Sequence, residues 1–233
     1  MTFRDLGLQP GNRSYDRPSD DAMSQTATSG LYARFGKRVF DLVLSLFMLP
    51  VLVPVLAILW LWVRCDGGSA LFCQTRVGRN GKTFACYKFR TMILDAERVL
   101  EQMCASDPVV AADWHAQQKL RHDPRITRVG RILRKTSLDE LPQILNVLTG
   151  DMSLVGPRPF LPAQKAIYDE AGGKAYYRLR PGVTGMWQVF GRHDTTFASR
   201  VRFDEAYGAA ISLWADASLI LRTVKVVLHR TGT

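Results

Sequence analysis

The chain is poor in the residue types that build metal knots and stapled folds. Its four cysteines, Cys65, Cys73, Cys86 and Cys104, form no C-x-x-C and have no histidine pair nearby. Neither a zinc site nor a disulfide framework is suggested, and a reducing, cytoplasmic setting fits. Carboxylates are also scarce, with 21 Asp and Glu against 31 Lys and Arg, a formal net charge of +10. That excess points to an anionic partner: a phosphorylated substrate, nucleic acid or an acidic membrane. The first residues lack the basic-then-apolar start of a signal peptide, and no internal repeat is evident. Residues 1–30 lack sustained apolar periodicity and mix Gly, Ser, Asp, Asn, Pro and Thr, which reads as a disordered N-terminal tail.

Charge is missing altogether from one place. Leu42 to Val63 contains no charged residue, and a membrane helix needs about 20 such positions. Arg34, Lys37 and Arg38 precede this run, and Arg64, Arg76, Arg79, Lys82, Lys88 and Arg90 follow it. Cations at both ends place both ends on the cytoplasmic side, which a straight span does not allow. Pro50 and Pro54 lie inside the run, where each removes a backbone hydrogen bond. The expectation for residues 31–64 is therefore a re-entrant helix, break and helix, with a kinked single span as the alternative.

Residues 65–233 are expected to form one cytosolic domain, so the fold class is α+β and mostly helical, with a short β-hairpin. The strands of that hairpin are Ala70–Val77 and Thr83–Thr91, joined through Gly78-Arg-Asn-Gly81. Period two puts Phe84, Cys86, Lys88 and Arg90 on one strand face, either as solvated cations or as a phosphate-reading surface. Helices are expected over residues 93–104 and 109–120, with Ser106 or Asp107 capping the second. Arg128, Arg131, Arg134 and Lys135 then recur at helical spacing. The last helix carries Leu213, Trp214, Ala217, Leu221, Val224 and Leu228 on one face, suited either to a membrane interface or to packing on the domain.

The densest chemistry lies at Thr136-Ser-Leu-Asp-Glu-Leu-Pro-Gln-Ile-Leu-Asn-Val-Leu-Thr-Gly150. Leu141, Ile144, Leu145 and Leu148 repeat at i, i+3, i+4 and i+7, which predicts a helix ended by Gly150. Pro142 is tolerated only in a first turn, so Asp139 falls at or beside the N-cap, where the helix dipole favours a carboxylate or a bound phosphate. Ser137-x-x-Glu140 also has the spacing of a capping box, and the residues alone leave both readings open. Downstream, Gly156-Pro157-Arg158-Pro159 holds Arg158 on stiff extended backbone. Arg180-Pro-Gly-Val-Thr-Gly-Met-Trp-Gln-Val-Phe-Gly-Arg192 is a glycine-punctuated loop with an arginine at each end.

Taken in order, K-R-x-F-D, the proline-broken apolar run, Y-K-F-R-T-M, R-K-T-S-L-D-E-L-P-Q, G-D-M-S-L-V-G-P-R-P and R-P-G-V-T-G-M-W-Q-V-x-G-R resemble the monotopic polyprenyl-phosphate phosphoglycosyl transferases. The resemblance covers roughly residues 34–230 and looks closest to exopolysaccharide-initiating enzymes. It implies transfer of a sugar 1-phosphate, galactose or glucose, from a UDP-sugar to undecaprenyl phosphate at the cytoplasmic face of the bacterial inner membrane. UMP leaves, and Asp139 carries the sugar phosphate in a covalent intermediate. Asp139 and Glu140 are the implied catalytic pair and the implied Mg2+ ligands. Lys88, Arg90, Arg134, Arg158, Arg180, Arg192 and Asp204 are the implied substrate-binding positions. The family breaks its re-entrant helix at Ser-Pro, whereas this sequence has Val53 before Pro54. Membrane lipids are implied partners, a homodimer is compatible, and nucleic acid is not expected. The competing reading is a membrane-tethered basic scaffold or nucleic-acid-binding protein, supported by charge alone.

Overall fold

The computed structural model describes residues 30–117, 120, 123–191 and 196–228. The expected tail over residues 1–30 lies, except for Gly30, outside them, as does Arg192. A π-helical turn, Tyr32–Gly36, leads into α1, Lys37–Arg64. Where the sequence predicts helix, break and helix, α1 is one helical run with Pro50 and Pro54 inside it. A proline removes only its own N–H from the ladder, and flanking bonds carry the helix past it. The helix is long and apolar enough to cross a membrane, with 11 % of its most apolar window buried.

The remaining elements are mostly short helices, as the sequence implies. Strands β1, Leu71–Val77, and β2, Thr83–Phe89, form the expected two-stranded hairpin. Its turn uses Asn80 at φ 58°, a left-handed conformation that asparagine tolerates. Helices α2, Ala96–Ser106, and α3, Pro108–Gln117, flank Asp107, whose Oδ1 accepts the Val109 N–H at 2.8 Å. Asp107 is thus the cap of the second helix. Next come α4, Arg128–Thr136, a 3-10 turn over Leu138–Glu140, and α5, Gln143–Thr149. Strands β3, Ser153–Val155, and β4, Gly182–Thr184, bracket α6, Lys165–Glu170, and α7, Ala175–Arg178. The chain then runs through α8, Met186–Phe190, α9, Arg200–Ala210, and α10, Leu213–Leu228.

Two contact units share these elements. Among the described residues, one comprises those within Met1–Phe47, Thr75–Ala85 and Ile144–Lys225, and the other those within Met48–Gln74, Cys86–Gln143 and Val226–Thr233. In the second unit, Leu59 and Val63 of α1 pack with Ala70, Phe89, Val129 and Leu133. Gly130 lets α4 approach closely, since a Cβ there would lie 2.1 Å from the Thr91 carbonyl oxygen. Arg90 is buried and donates from Nη2 to the Val63 carbonyl at 3.2 Å, satisfying one carbonyl in the last turn of α1.

In the first unit, the K-R-x-F-D segment is the fastening of α1. Lys37 Nζ pairs with the buried Asp216 at 2.7 Å, and Arg38 donates to the Val147 and Leu148 carbonyls at 2.6 and 3.0 Å. Asp41 Oδ1 accepts from Ser153 Oγ and the Leu154 N–H. Beyond it, Phe160, Tyr168 and Tyr176 stack among Val77 and Val201. Strands β3 and β4 pair in parallel, Ser153 with Gly182 and Val155 with Thr184. A Cβ on Gly182 would stand 2.1 Å from the Gly156 nitrogen, so these loop glycines permit a backbone seam, not just turns.

Candidate active site

The dyad does not start a helix in the manner the sequence suggests. Pro142 has no N–H to give the Leu138 carbonyl, which accepts instead from Leu141 N–H, three residues on, at 3.3 Å. A 3-10 turn therefore forms over Leu138–Glu140, and α5 begins only at Gln143. Ser137 is the left-handed C-cap of α4, at φ 58° and ψ 18°, and its side chain makes no cap bond. The capping-box reading of Ser137 and Glu140 is thereby set aside. The expected apolar face of α5 also shifts: Leu145 is exposed, while Ile144, Asn146 and Val147 are buried. Asn146 belongs inside because its Nδ2 donates to the Ala85 carbonyl at 2.7 Å.

Counter-charge reaches the dyad from β2 and α4. Lys88 Nζ lies 2.7 Å from Glu140 Oε1 and 3.9 Å from Asp139 Oδ2, with all three side chains less than one-fifth exposed. Glu140 takes the short ion pair, and Asp139 stands at the edge of the same charge. Arg134 Nε donates to Thr91 Oγ1 at 2.8 Å, which fixes its guanidinium. Burial lowers the Arg134 pKa, and the Asp139 carboxylate acts in the opposite sense. The basic run on α4 is thus divided by helix geometry: Arg128, Arg131 and Lys135 are exposed, and Arg134 turns inward. Thr91, the anchor of Arg134, is the threonine of the Y-K-F-R-T-M motif, to which the sequence assigns no role.

The other expected binding residues are placed differently. Arg90, one residue past the end of β2, serves the α1 terminus as described above. Arg158, Arg180 and Asp204 belong to the first unit. The Arg158 carbonyl accepts from Arg200, and Arg180 Nε donates to the Gly150 carbonyl at 2.8 Å. Asp204 is 2 % exposed, and its Oδ2 accepts from the Tyr168 hydroxyl at 2.9 Å. Burial pushes the Asp204 carboxyl up to about 7, against the pull of Arg200 and the Tyr168 hydrogen bond. It is an internal group of the aromatic core. Arg200, which belongs to no sequence motif, is buried over the Trp187 and Phe197 rings.

Residues 32–230 match the family described as bacterial sugar transferase. The chain belongs to that family. Similar bacterial sugar transferases include the "Undecaprenyl-phosphate galactose phosphotransferase" of Salmonella typhimurium, 49 % identical over 201 residues, which cover 86 % of this chain and 42 % of that protein. The "Exopolysaccharide production protein ExoY" of Sinorhizobium fredii is 44 % identical over 198 residues, 84 % of this chain and 87 % of the relative. The "Undecaprenyl-phosphate glucose phosphotransferase" of Komagataeibacter xylinus is 40 % identical over 200 residues, covering 81 % and 35 %. The chain therefore spans less than half of the two phosphotransferases and most of the ExoY protein. The family match includes Lys88, Arg134, Asp139 and Glu140.

Proposed function

We propose that this sugar transferase moves a hexose 1-phosphate, galactose or glucose, from a UDP-sugar to undecaprenyl phosphate, as the first membrane step of exopolysaccharide or capsule synthesis. The observation that carries the reading is the Lys88 ammonium shared unequally by the adjacent Asp139 and Glu140. A carboxylate held beside fixed cations can meet a phosphate that would otherwise repel it. In the first step an Asp139 carboxylate oxygen attacks the β-phosphorus, the bond to the UMP oxygen breaks, and UMP leaves with the electron pair. In the second step an oxygen of undecaprenyl phosphate attacks the same phosphorus, and the Asp139–phosphorus bond breaks to restore the carboxylate. Lys88 and Arg134 balance charge on the transferring phosphoryl group. Glu140 orients Lys88 and is the candidate base for the lipid phosphate.

Two adjacent carboxylates fit Mg2+, which commonly takes one or two protein carboxylates and completes its shell with phosphate and water oxygens. Asp139 and Glu140 would hold it. The described residues contain no group of three or more His, Cys, Asp or Glu that would form a self-sufficient cage. Bound there, Mg2+ supplies further neutralisation of phosphate charge.

Membrane attachment is supported by apolar side chains left outside. On α1, Phe47, Val51, Ile58 and Leu61 are exposed, and on α10 the predicted apolar face remains outside at Leu213, Trp214, Leu221 and Val224. Such exposure suits lipid. Cations at both ends of α1 support a re-entrant attachment from the cytoplasmic face.

Membranes carrying the protein should release UMP from UDP-galactose or UDP-glucose when undecaprenyl phosphate and Mg2+ are present. Asp139→Asn should abolish that release and keep membrane association. Turnover retained by Asp139→Asn, or sugar phosphate liberated into water without lipid acceptor, would overturn the reading.

A further inference from the structure

We propose that the first unit contains a phosphate-monoester pocket, built by the start of α1, the hairpin turn and the end of α7, with residues separate from the dyad. A cavity of about 380 Å³ lies there, and its lining holds six cationic side chains, Arg34, Lys37, Arg38, Arg79, Arg178 and Arg180. Among the described residues, Asp41 is the only carboxylate in that lining. Every lining residue belongs to the same unit.

Two of the pocket's arginines, Arg38 and Arg180, are held by carbonyls, which leave their charge intact. Arg38 spends two donors on the Val147 and Leu148 carbonyls, and Arg180 spends one on the Gly150 carbonyl. A carbonyl fixes a guanidinium without cancelling its charge, and each guanidinium has five N–H donors. Two cations are partly neutralised: Lys37 by Asp216 at 2.7 Å, and Arg178 by Glu205 at 3.8 Å. Asp41 directs its Oδ1 to Ser153 and Leu154, while its buried Oδ2 has no hydrogen-bond partner among the described residues. Arg34, Arg38, Arg79 and Arg180 make no ion pair within 4 Å among the described residues, and Asp41 is the carboxylate whose charge acts on Arg180. Burial lowers the Arg180 pKa, Arg79 and Arg38 lower it further, and Asp41 acts in the opposite sense. These three like charges repel one another, and a doubly charged oxyanion would relieve them.

A phosphate monoester matches this set better than a carboxylate does. It carries nearly two negative charges at neutral pH and three acceptor oxygens, enough to engage several arginines at once. The pocket includes the first turns of the apolar helix, so a lipid headgroup can supply the phosphate, and so can a free phosphate. The inference concerns binding alone and does not require the transfer reaction proposed above.

The test uses the full chain in detergent, titrated with dioleoyl phosphatidic acid, dioleoyl phosphatidylcholine or inorganic phosphate. Bound molecules are counted by native mass spectrometry. We expect one phosphatidic acid or inorganic phosphate per chain, weakened by on the order of tenfold or more in Arg79→Ser/Arg178→Ser. Arg79→Lys/Arg178→Lys should recover part of the loss, and Asp139→Asn should bind as the parent does. Tighter binding of phosphatidic acid identifies a headgroup source, and tighter binding of inorganic phosphate a soluble one. The proposal fails if neither is retained, if the double serine variant binds as well as the parent, if phosphatidylcholine competes equally, or if Asp139→Asn alone removes binding.

Discussion

At the scale of single residues, Lys88 divides its charge between two carboxylates that the chain places side by side. Its contact with Glu140 is short and its contact with Asp139 is long, so the two acids differ although they are adjacent. Replacing Lys88 by Ala should lower turnover by about 10²-fold or more, as when a preorganised electrostatic donor is removed. UMP release measures it, with unchanged circular dichroism as the control. Asp204 makes a separate prediction. Its folded pKa of about 7 lies above the ordinary 3.8, so the folded state binds a proton more readily than the unfolded state. Stability from this group is highest below pH 4, falls as pH rises from about 4 to about 7, and levels off above that window. The melting temperature of Asp204→Asn relative to the parent should therefore rise across that range. A flat difference between the two would refute the buried ionisation.

At the scale of elements, the site depends on where α4 lies against the end of β2. Gly130 touches the Thr91 backbone, and four residues later Arg134 bonds the Thr91 hydroxyl. A methyl group at Gly130 cannot be accommodated without moving the helix, because the obstacle is backbone. Gly130→Ala should therefore lower both melting temperature and turnover, whereas a substitution at the exposed Arg131 should leave stability nearly unchanged. Ser137 joins α4 to the dyad turn in a left-handed conformation. A β-branched residue resists that conformation, so Ser137→Val should cost about 1–2 kcal/mol, read as a lowered melting temperature. The two helix expectations around the dyad differ in outcome for one reason. Apolar spacing shows that a helix exists, but Pro142 and a buried Asn146 decide where it begins and which face turns inward.

At the scale of the whole molecule, a helix with cations at both ends and apolar side chains outside must satisfy water and lipid together. If both termini of α1 face the cytoplasm, Ala33→Cys and the native, exposed Cys65 should react with a membrane-impermeant maleimide from the same side. In inside-out vesicles both should label, and in right-side-out vesicles neither should. Labelling of one from each side would establish a single span and overturn the re-entrant reading.

Local pattern and charge along the chain were enough for the apolar run, the hairpin, a cap at Ser106 or Asp107, the Asp139–Glu140 pair and the family. These follow from periodicity, turn chemistry and adjacency, all of which are properties of neighbouring residues. Which cations lie beside the dyad follows from tertiary packing. Lys88 and Arg90 share a strand face in sequence, yet one reaches Glu140 and the other the end of α1. Arg134 is separated from three solvated neighbours by the angle of its helix, and Asp204 is withdrawn into an aromatic core. Such assignments arise from contacts between residues far apart in the chain. In the candidate phosphate pocket likewise, cations from three separate segments become one field, with Arg38 and Arg180 held by backbone carbonyls that leave their charge intact.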